Sequence, residues 1–303
     1  MLLETYYRHV SQVRSINSIN QINIAFGNTI TPQEVVDLEG ALFTPGHVVP
    51  ELRGDRFFSD EELKATAREW IEDAFAHLQL VGKAEAEPFL RRDLRKSMTF
   101  YTDGGQANGK TLVVAFPGAN NRLMMPVATL LQALDASKVD IVLIRDPTHS
   151  AYLKGLEDFA DSRDGLFDAL PSYLNFAAYA RVSSLGVSAG GLPALLLASR
   201  LGLTAVLACG ADSPLDPRLH EKGGAAAAAA LRSAAESNHR SHVAIVFGAQ
   251  HPEDREAATE IGGILGVEPL EISNAAHDVR HNVLVPLAEE GRLSSFLAEH
   301  LRL

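Results

Sequence analysis

From about residue 97 onward, short apolar runs alternate with stretches of helical character, and this alternation constrains the fold more than any other feature of the chain. Several of the runs are apolar almost throughout, which is typical of strands buried on both faces. Strands that alternate with helices form a mainly parallel sheet flanked by helices, so the fold class predicted is α/β. The predicted strands are 97–102, 111–116, 139–144, 182–187, 204–209, 243–247 and 269–272.

The helices predicted between these strands complete the pattern. One of them contains six consecutive alanines, 225–230, which is explained by the high helix propensity of alanine. We therefore interpret residues 96–303 as one domain, without internal repeats. The other predicted helices are 123–134, 165–178, 190–201, 252–265 and 282–301.

Residues 1–95 have a different texture and are interpreted as an irregular, partly helical extension. One helix is well indicated there, because Ser59 and Glu62 have the spacing of a capping box. An apolar helical face must pack on something, so the extension is expected to cover the domain behind it. The apolar residues that recur on that face are Leu63, Ala67, Trp70, Ala74 and Leu78.

Charge and cysteine content exclude several classes of function. The formal net charge of the 303-residue chain is -11, which disfavours binding to nucleic acid or to anionic membranes. Cys209 is the only cysteine, so no intrachain disulfide can form, which fits a reducing compartment. No signal peptide or membrane-spanning run is evident, and a cytoplasmic protein is expected.

The pentapeptide Gly186-Val187-Ser188-Ala189-Gly190 links a predicted strand to a predicted helix. A bare Gly-x-Ser-x-Gly arises by chance about once in ten chains of this length, so its context carries the weight. Glycines let neighbouring segments approach closely, and the strained turn lifts the hydroxyl clear of the sheet. A turn without chemistry is one alternative, and a dinucleotide phosphate loop, which needs glycine in place of Ser188, is another. The context favours Ser188 as a nucleophile.

On these residues the chain resembles the α/β-hydrolase superfamily over about 97–303. The resemblance implies a serine nucleophile, an acid and a histidine in that order along the chain, with no cofactor. It also implies an oxyanion hole built from the N–H of Ala189 and that of Ala119 or Asn120, in loop 116–122. That loop departs from the His-Gly-Gly form common in esterases.

The sequence leaves two candidates for the base and three for the acid. His277 and His281 both lie between the last predicted strand and the last helix, where the superfamily keeps its base, and His281 is slightly preferred. The acid should follow strand 243–247. Asp254 is the first choice there and Glu253 the second, with Asp212, after the preceding strand, as a third.

The two histidines also permit a metal interpretation. His277 and His281 are four residues apart, as in the zinc motif His-Glu-x-x-His. Asp278 occupies the position that glutamate has in that motif. No third ligand is evident, and the segment is interpreted as a loop. The sequence therefore favours a site without metal.

Three functions compete on these grounds. The first is hydrolysis of a small or polar carboxylic ester, with a sugar as one candidate carrier, through a Ser-His-Asp triad and an acyl-enzyme. The second is acyl transfer by the same groups, and the third is a non-catalytic module that binds a ligand on the same fold. The expected partner is a small-molecule acyl substrate, and an oligomer is compatible with the sequence.

Overall fold

One mixed sheet organises the larger part of the computed structural model, which describes residues 2–47, 49, 57–219, 223–236, 241–274 and 278–303. The seven predicted strands are all present, with bounds that differ by at most one residue. The eighth precedes them in the chain. The strands are β1 Leu90–Arg95, β2 Met98–Thr102, β3 Thr111–Phe116, β4 Val139–Ile144, β5 Arg181–Val187, β6 Ala205–Cys209, β7 His242–Gly248 and β8 Leu270–Ile272.

The strand order is β1-β2-β4-β3-β5-β6-β7-β8. β2 pairs antiparallel with both β1 and β4, whereas the strands from β4 to β8 are parallel. In the register, Phe116 lies opposite Gly186 and Val187 lies opposite Cys209. The carboxyl ends of β3, β5 and β6 therefore meet at one edge of the sheet, which is where ligands bind in open parallel sheets.

Successive side chains along the strands belong alternately to two buried apolar clusters, one on each face of the sheet. Val113 and Leu185 belong to one cluster, while Leu112 and Val114 belong to the other. This confirms the predicted sheet with helices on both faces. No helix in the described part of the chain is long and apolar enough to cross a membrane. The helices are α5 Val127–Gln132, α6 Arg163–Tyr173, α7 Gly191–Leu201, α8 Gly224–Glu236, α9 Pro252–Leu265, α10 Leu284–Glu289 and α11 Leu293–Leu301.

Within the described residues before β1 there are four helices, α1 Leu2–Val10, α2 Ile16–Gly27, α3 Pro32–Leu42 and α4 Asp60–Gln79. We call residues 2–47 and 57–79 the cover. The capping box predicted for Ser59 and Glu62 starts α4. A second capping box, Thr31 with Glu34, starts α3 and has proline at its first position. The cover is thus more helical than the sequence analysis indicated.

The cover has its own apolar core, which includes Tyr6, Leu63 and Ile71, and it shares that core with Ala128 of α5. Trp70 stacks on Tyr6 with ring centroids 4.8 Å apart. Two donors of the sheet tie the cover down at one carbonyl oxygen. The buried Tyr101 hydroxyl donates to the Thr29 oxygen at 3.0 Å, and the Arg91 guanidinium donates to it at 3.2 Å.

Four expectations differ from the structure in detail. The helix predicted over 123–134 is the shorter α5, because Met124 before it adopts a left-handed φ of 64°. The helix predicted over 165–178 is α6, which ends at Tyr173 shortly before the left-handed Asn175, with a φ of 50°.

The helix predicted over 282–301 is two helices, because Gly291 between α10 and α11 adopts a left-handed φ of 68°. β1 lies within the segment interpreted as extension, so the boundary predicted at residue 95 falls at the end of the first strand. Its sequence, Leu-Arg-Arg-Asp-Leu-Arg, is largely exposed at the sheet edge and lacks the apolar character of a buried strand.

Candidate active site

Ser188 stands on a sharp turn between β5 and α7, in the predicted strand–turn–helix context. Its φ of 52° is left-handed, a strained conformation for a residue with a side chain. The backbone segments around this turn lie very close together. A Cβ atom at Gly186 would lie 2.2 Å from the Gly190 oxygen, and one at Gly190 would lie 2.1 Å from the Phe116 oxygen. Only glycine fits at both positions. The N-terminal dipole of α7 adds positive potential at the turn.

The loop after β3 packs directly against Ser188. The Gly118 N–H donates to the Arg122 oxygen at 2.9 Å, and the Asn121 N–H donates to the Gly118 oxygen at 2.8 Å. A Cβ atom at Gly118 would lie 3.0 Å from that of Ser188. Among the described residues, the N–H groups of Ala119 and Asn120 have no hydrogen-bond acceptor. The loop therefore offers two uncommitted donors beside the serine.

His281 and Asp254 form a hydrogen-bonded pair. Nδ1 of His281 donates to Oδ2 of Asp254 over 2.7 Å. Asp254 lies in the first turn of α9, where its side chain is only 10% exposed. The hydrogen bond to Asp254 raises the pKa of His281, against the opposing effect of burial. Because the carboxylate occupies Nδ1, the other ring nitrogen of His281 is left to act as a base.

The alternative acids have other surroundings. Glu253 is 79% exposed and lies 3.6 Å from Nδ1 of His251. Asp212 lies 3.9 Å from the guanidinium of Arg218, and burial raises the pKa of its carboxyl. Of the three carboxylates considered, Asp254 is the one hydrogen-bonded to His281. His277, the alternative base, lies outside the described residues.

A cavity of about 800 Å³ lies between the cover and the rest of the chain from β1 onward, which we call the sheet domain. Ser188 and His281 both line it, together with Gly118, Ala119 and Asn120 of the upstream loop. Ala189 follows Ser188 in the turn but does not line the cavity itself. The polar residues with which the cover lines the opposite wall were not predicted from the sequence. These are Asn20, Asn23 and Asn28 from α2 and its C-cap, and Thr66, Glu69, Asp73 and His77 from α4.

One further histidine adjoins the pair. Nδ1 of His251, the N-cap residue of α9, lies 3.2 Å from the backbone nitrogen of Asp254 and 3.1 Å from its Oδ1. His251, Asp254 and His281 offer ligand atoms within 4.8 Å of one another. Zinc binds ligand atoms of these types. However, Nδ1 of each imidazole already has a hydrogen bond with Asp254, His281 with the carboxylate and His251 with the backbone N–H. No sequence pattern indicated His251, because histidine is not a favoured N-cap residue.

The strand order and the turn around Ser188 are those of the α/β-hydrolase fold. A scan against models of protein families gives no match, and a search of curated proteins gives none either. Among solved structures, the chain is similar to Est1E from Butyrivibrio proteoclasticus, with 12% identity, a TM-score of 0.47 and coverage of 72% of this chain and 100% of the other.

Two further structures have comparable values. Dienelactone hydrolase from Anabaena variabilis is 15% identical with a TM-score of 0.47, covering 71% of this chain and 100% of its own. MGS-MChE2, an alpha/beta hydrolase enzyme from a sediment metagenome of the Mar Chica lagoon, is 16% identical with a TM-score of 0.43, covering 69% and 98%. At such values the likeness concerns the fold alone.

Proposed function

We propose that this protein is a serine hydrolase that cleaves a carboxylic ester through an acyl-enzyme. One observation carries the proposal: Ser188, on a strained turn, lines the same cavity as His281, whose Nδ1 is hydrogen-bonded to the buried Asp254 at 2.7 Å. A serine hydroxyl is a poor nucleophile until a base takes its proton. An imidazole held by a carboxylate is such a base, and the raised pKa of His281 strengthens it.

The reaction has two halves. Oγ of Ser188 attacks the carbonyl carbon while its proton passes to Nε2 of His281. The tetrahedral intermediate then breaks its bond to the alcohol, which leaves with that proton, and the acyl group remains on Ser188. Water attacks the acyl-enzyme, gives a proton to His281, and the acid departs as Ser188 regains the proton. Asp254 stays ionised throughout and stabilises the imidazolium form.

Negative charge develops on the carbonyl oxygen in both halves and needs donors. The N–H of Ala189 is one candidate, because N–H groups in the first turn of a helix lack intrahelical acceptors. The N–H of Ala119 or of Asn120 is the second, since both lie in the loop that contacts Ser188. Each such donor contributes about 3 kcal/mol to lowering the barrier.

The lining of the cavity supports a substrate that has both an apolar and a polar part. The cover presents amides and carboxylates together with apolar side chains such as Ile24 and Trp70, and Arg122 and Asn120 add polar groups from the sheet domain. Such a mixed lining suits a short acyl chain on a polar, hydroxyl-bearing carrier, for which a sugar is one candidate. A panel of p-nitrophenyl esters of rising chain length tests this: kcat/KM should be highest for the shortest acyl groups.

A fluorophosphonate probe tests the nucleophile directly. Wild-type protein should be labelled at Ser188, and Ser188→Ala should lose both the label and the ester hydrolysis. Ser295→Ala, which removes an exposed hydroxyl bonded to the Arg292 oxygen, is the control and should label normally. Wild-type protein that takes up no label, or a Ser188→Ala variant that is still labelled, would overturn the proposal.

A further inference from the structure

Asp254 is held from two sides. His281 engages Oδ2 at 2.7 Å, while Nδ1 of His251 lies 3.1 Å from Oδ1 of the same carboxylate. The rings of the two histidines have centroids 5.4 Å apart. The carboxylate therefore sits between two imidazoles, one beside each oxygen, and the mechanism above uses only one of them.

His251 also reaches the backbone of Asp254. Asp254 is the third residue of α9, so its N–H has no acceptor within the helix. Nδ1 of His251 fills that position at 3.2 Å, as the side chain of an N-cap residue does. A bare Nδ1 accepts the Asp254 N–H and holds the backbone of Asp254, whereas a protonated Nδ1 donates to Oδ1 and holds the carboxylate. The same ring atom thus restrains Asp254 at its backbone in one form and at its side chain in the other.

The surroundings leave few other groups to orient this carboxylate. Asp254 is 8% exposed, so water does little to fix it. In the part of the chain that the structure describes, its carboxylate is hydrogen-bonded to His281, and Nδ1 of His251 lies 3.1 Å from its other oxygen. Glu253, beside it in the helix, points its carboxylate toward His251 at 3.6 Å and is largely exposed. His251 is not among the residues that line the cavity.

We infer that His251 is a positioning residue, which holds Asp254 in place and through it the orientation of His281. The inference rests on the proposed function, because it assigns a role within the same reaction. It concerns only the rate of the chemical step. A base displaced by a fraction of an ångström loses much of its effect, since proton transfer requires close alignment.

Three substitutions of one residue separate positioning from packing. His251→Ala and His251→Leu remove the polar atom, and leucine retains most of the bulk. His251→Asn keeps an N-cap acceptor and an N–H donor. We expect kcat to fall about 10- to 100-fold in the first two variants with KM unchanged, and to stay within about threefold of wild type in the third. Ser162→Ala, which removes the side-chain cap of α6 away from the cavity, is the control for loss of a cap.

The results decide the matter whichever way they fall. A fall in Tm like that of Ser162→Ala, with kcat also unchanged, would reduce His251 to an ordinary helix cap. Full activity in His251→Leu would show that bulk is sufficient, and equal losses in the alanine and asparagine variants would overturn the polar role.

A spectroscopic measurement makes the inference independent of turnover. The proton between His281 and Asp254 should give a downfield proton NMR signal, assigned by its loss in Asp254→Asn. We expect His251→Leu to shift or broaden this signal and His251→Asn to preserve it. Should the wild type hydrolyse no ester while the signal responds as stated, the proposed function fails and the positioning role stands. An unchanged signal in His251→Leu would refute the positioning role.

Discussion

The sheet domain and the cover contribute to the same cavity in different ways. In the sheet domain, backbone fixes the positions: Ser188, Gly118 and Gly190 are packed so closely that an added Cβ atom at either glycine would lie 3.0 Å or less from neighbouring atoms. In the cover, the cavity is lined by side chains at helical spacing on α4, such as Glu69 and Asp73, and both are exposed. We infer that the domain sets the reaction geometry while the cover selects what is bound. Substitutions should therefore affect kcat in the first region and KM in the second.

The largest effect that tests this division is expected at Asp254. Asp254→Asn keeps the shape of the side chain and removes the charge that holds His281, so kcat should fall about 10⁴-fold with little change in KM.

The same variant should change the pH dependence of the reaction. Neutral His281 is the active form, so activity falls as the pH drops through the raised pKa of His281. Loss of the carboxylate lowers this pKa, so residual activity should persist to lower pH. A pH–rate profile of kcat/KM measures both effects, with Glu253→Gln, an adjacent exposed acid, as the control.

A smaller but still large loss is expected at Gly210, which follows β6. Its φ is 55°, and a Cβ atom there would lie 2.9 Å from Nδ1 of His281 and 3.0 Å from Oδ2 of Asp254. Gly210→Ala should lower kcat about 100-fold by displacing this pair. Gly202 has a φ of 61° with no atom near its Cβ position, so Gly202→Ala introduces the same backbone strain alone.

The two glycine variants should differ in activity and resemble each other in stability. Each should lose about 1–2 kcal/mol of unfolding free energy, the cost of a left-handed alanine. Urea denaturation and ester hydrolysis measured on the same preparations compare them. Equal activity in the two would show that Gly210 is required for its backbone conformation rather than for its closeness to His281 and Asp254.

The sequence predicted best the features that depend on one segment. β3 and β4 have the predicted bounds because each is a continuous apolar run, and the turn at Ser188 follows from two glycines with fixed spacing. β1 was missed because a charged edge strand pairs on one side only and needs no apolar pattern. α3 could have been found, since Thr31 and Glu34 have the spacing of a capping box.

Features that depend on two distant segments could not be read in this way. Asp254 was preferred over Glu253 and Asp212 on position alone, whereas its hydrogen bond to His281 depends on how α9 packs against the segment before α10. The wall that α2 and α4 give to the cavity depends on how the cover docks on the sheet domain. Periodicity shows that α4 has a polar face, but it does not show what that face meets.

The cover offers a more modest test of selection. Asp73 and Glu72 are neighbouring exposed carboxylates on α4, and only Asp73 lines the cavity. Asp73→Ala should raise KM for a polar ester about 3- to 10-fold, the equivalent of one hydrogen bond, and leave kcat unchanged. Glu72→Ala should change neither constant. A fall in kcat in Asp73→Ala would place the cover in the chemical step and break the division between the two regions.

The smallest effect concerns how the two regions fold. Ser59 caps α4 of the cover and Ser162 caps α6 of the sheet domain, each through its side-chain oxygen. Replacing either by alanine should cost about 1 kcal/mol of unfolding free energy. Because the cover shares its core with Ala128 and is hydrogen-bonded to the sheet through Tyr101, we expect one cooperative transition in urea that both variants shift equally. If Ser59→Ala instead moved only the first of two transitions, the cover would be a separately folding unit. Its removal would then leave a sheet domain able to retain the Asp254–His281 pair but without the wall that selects the substrate.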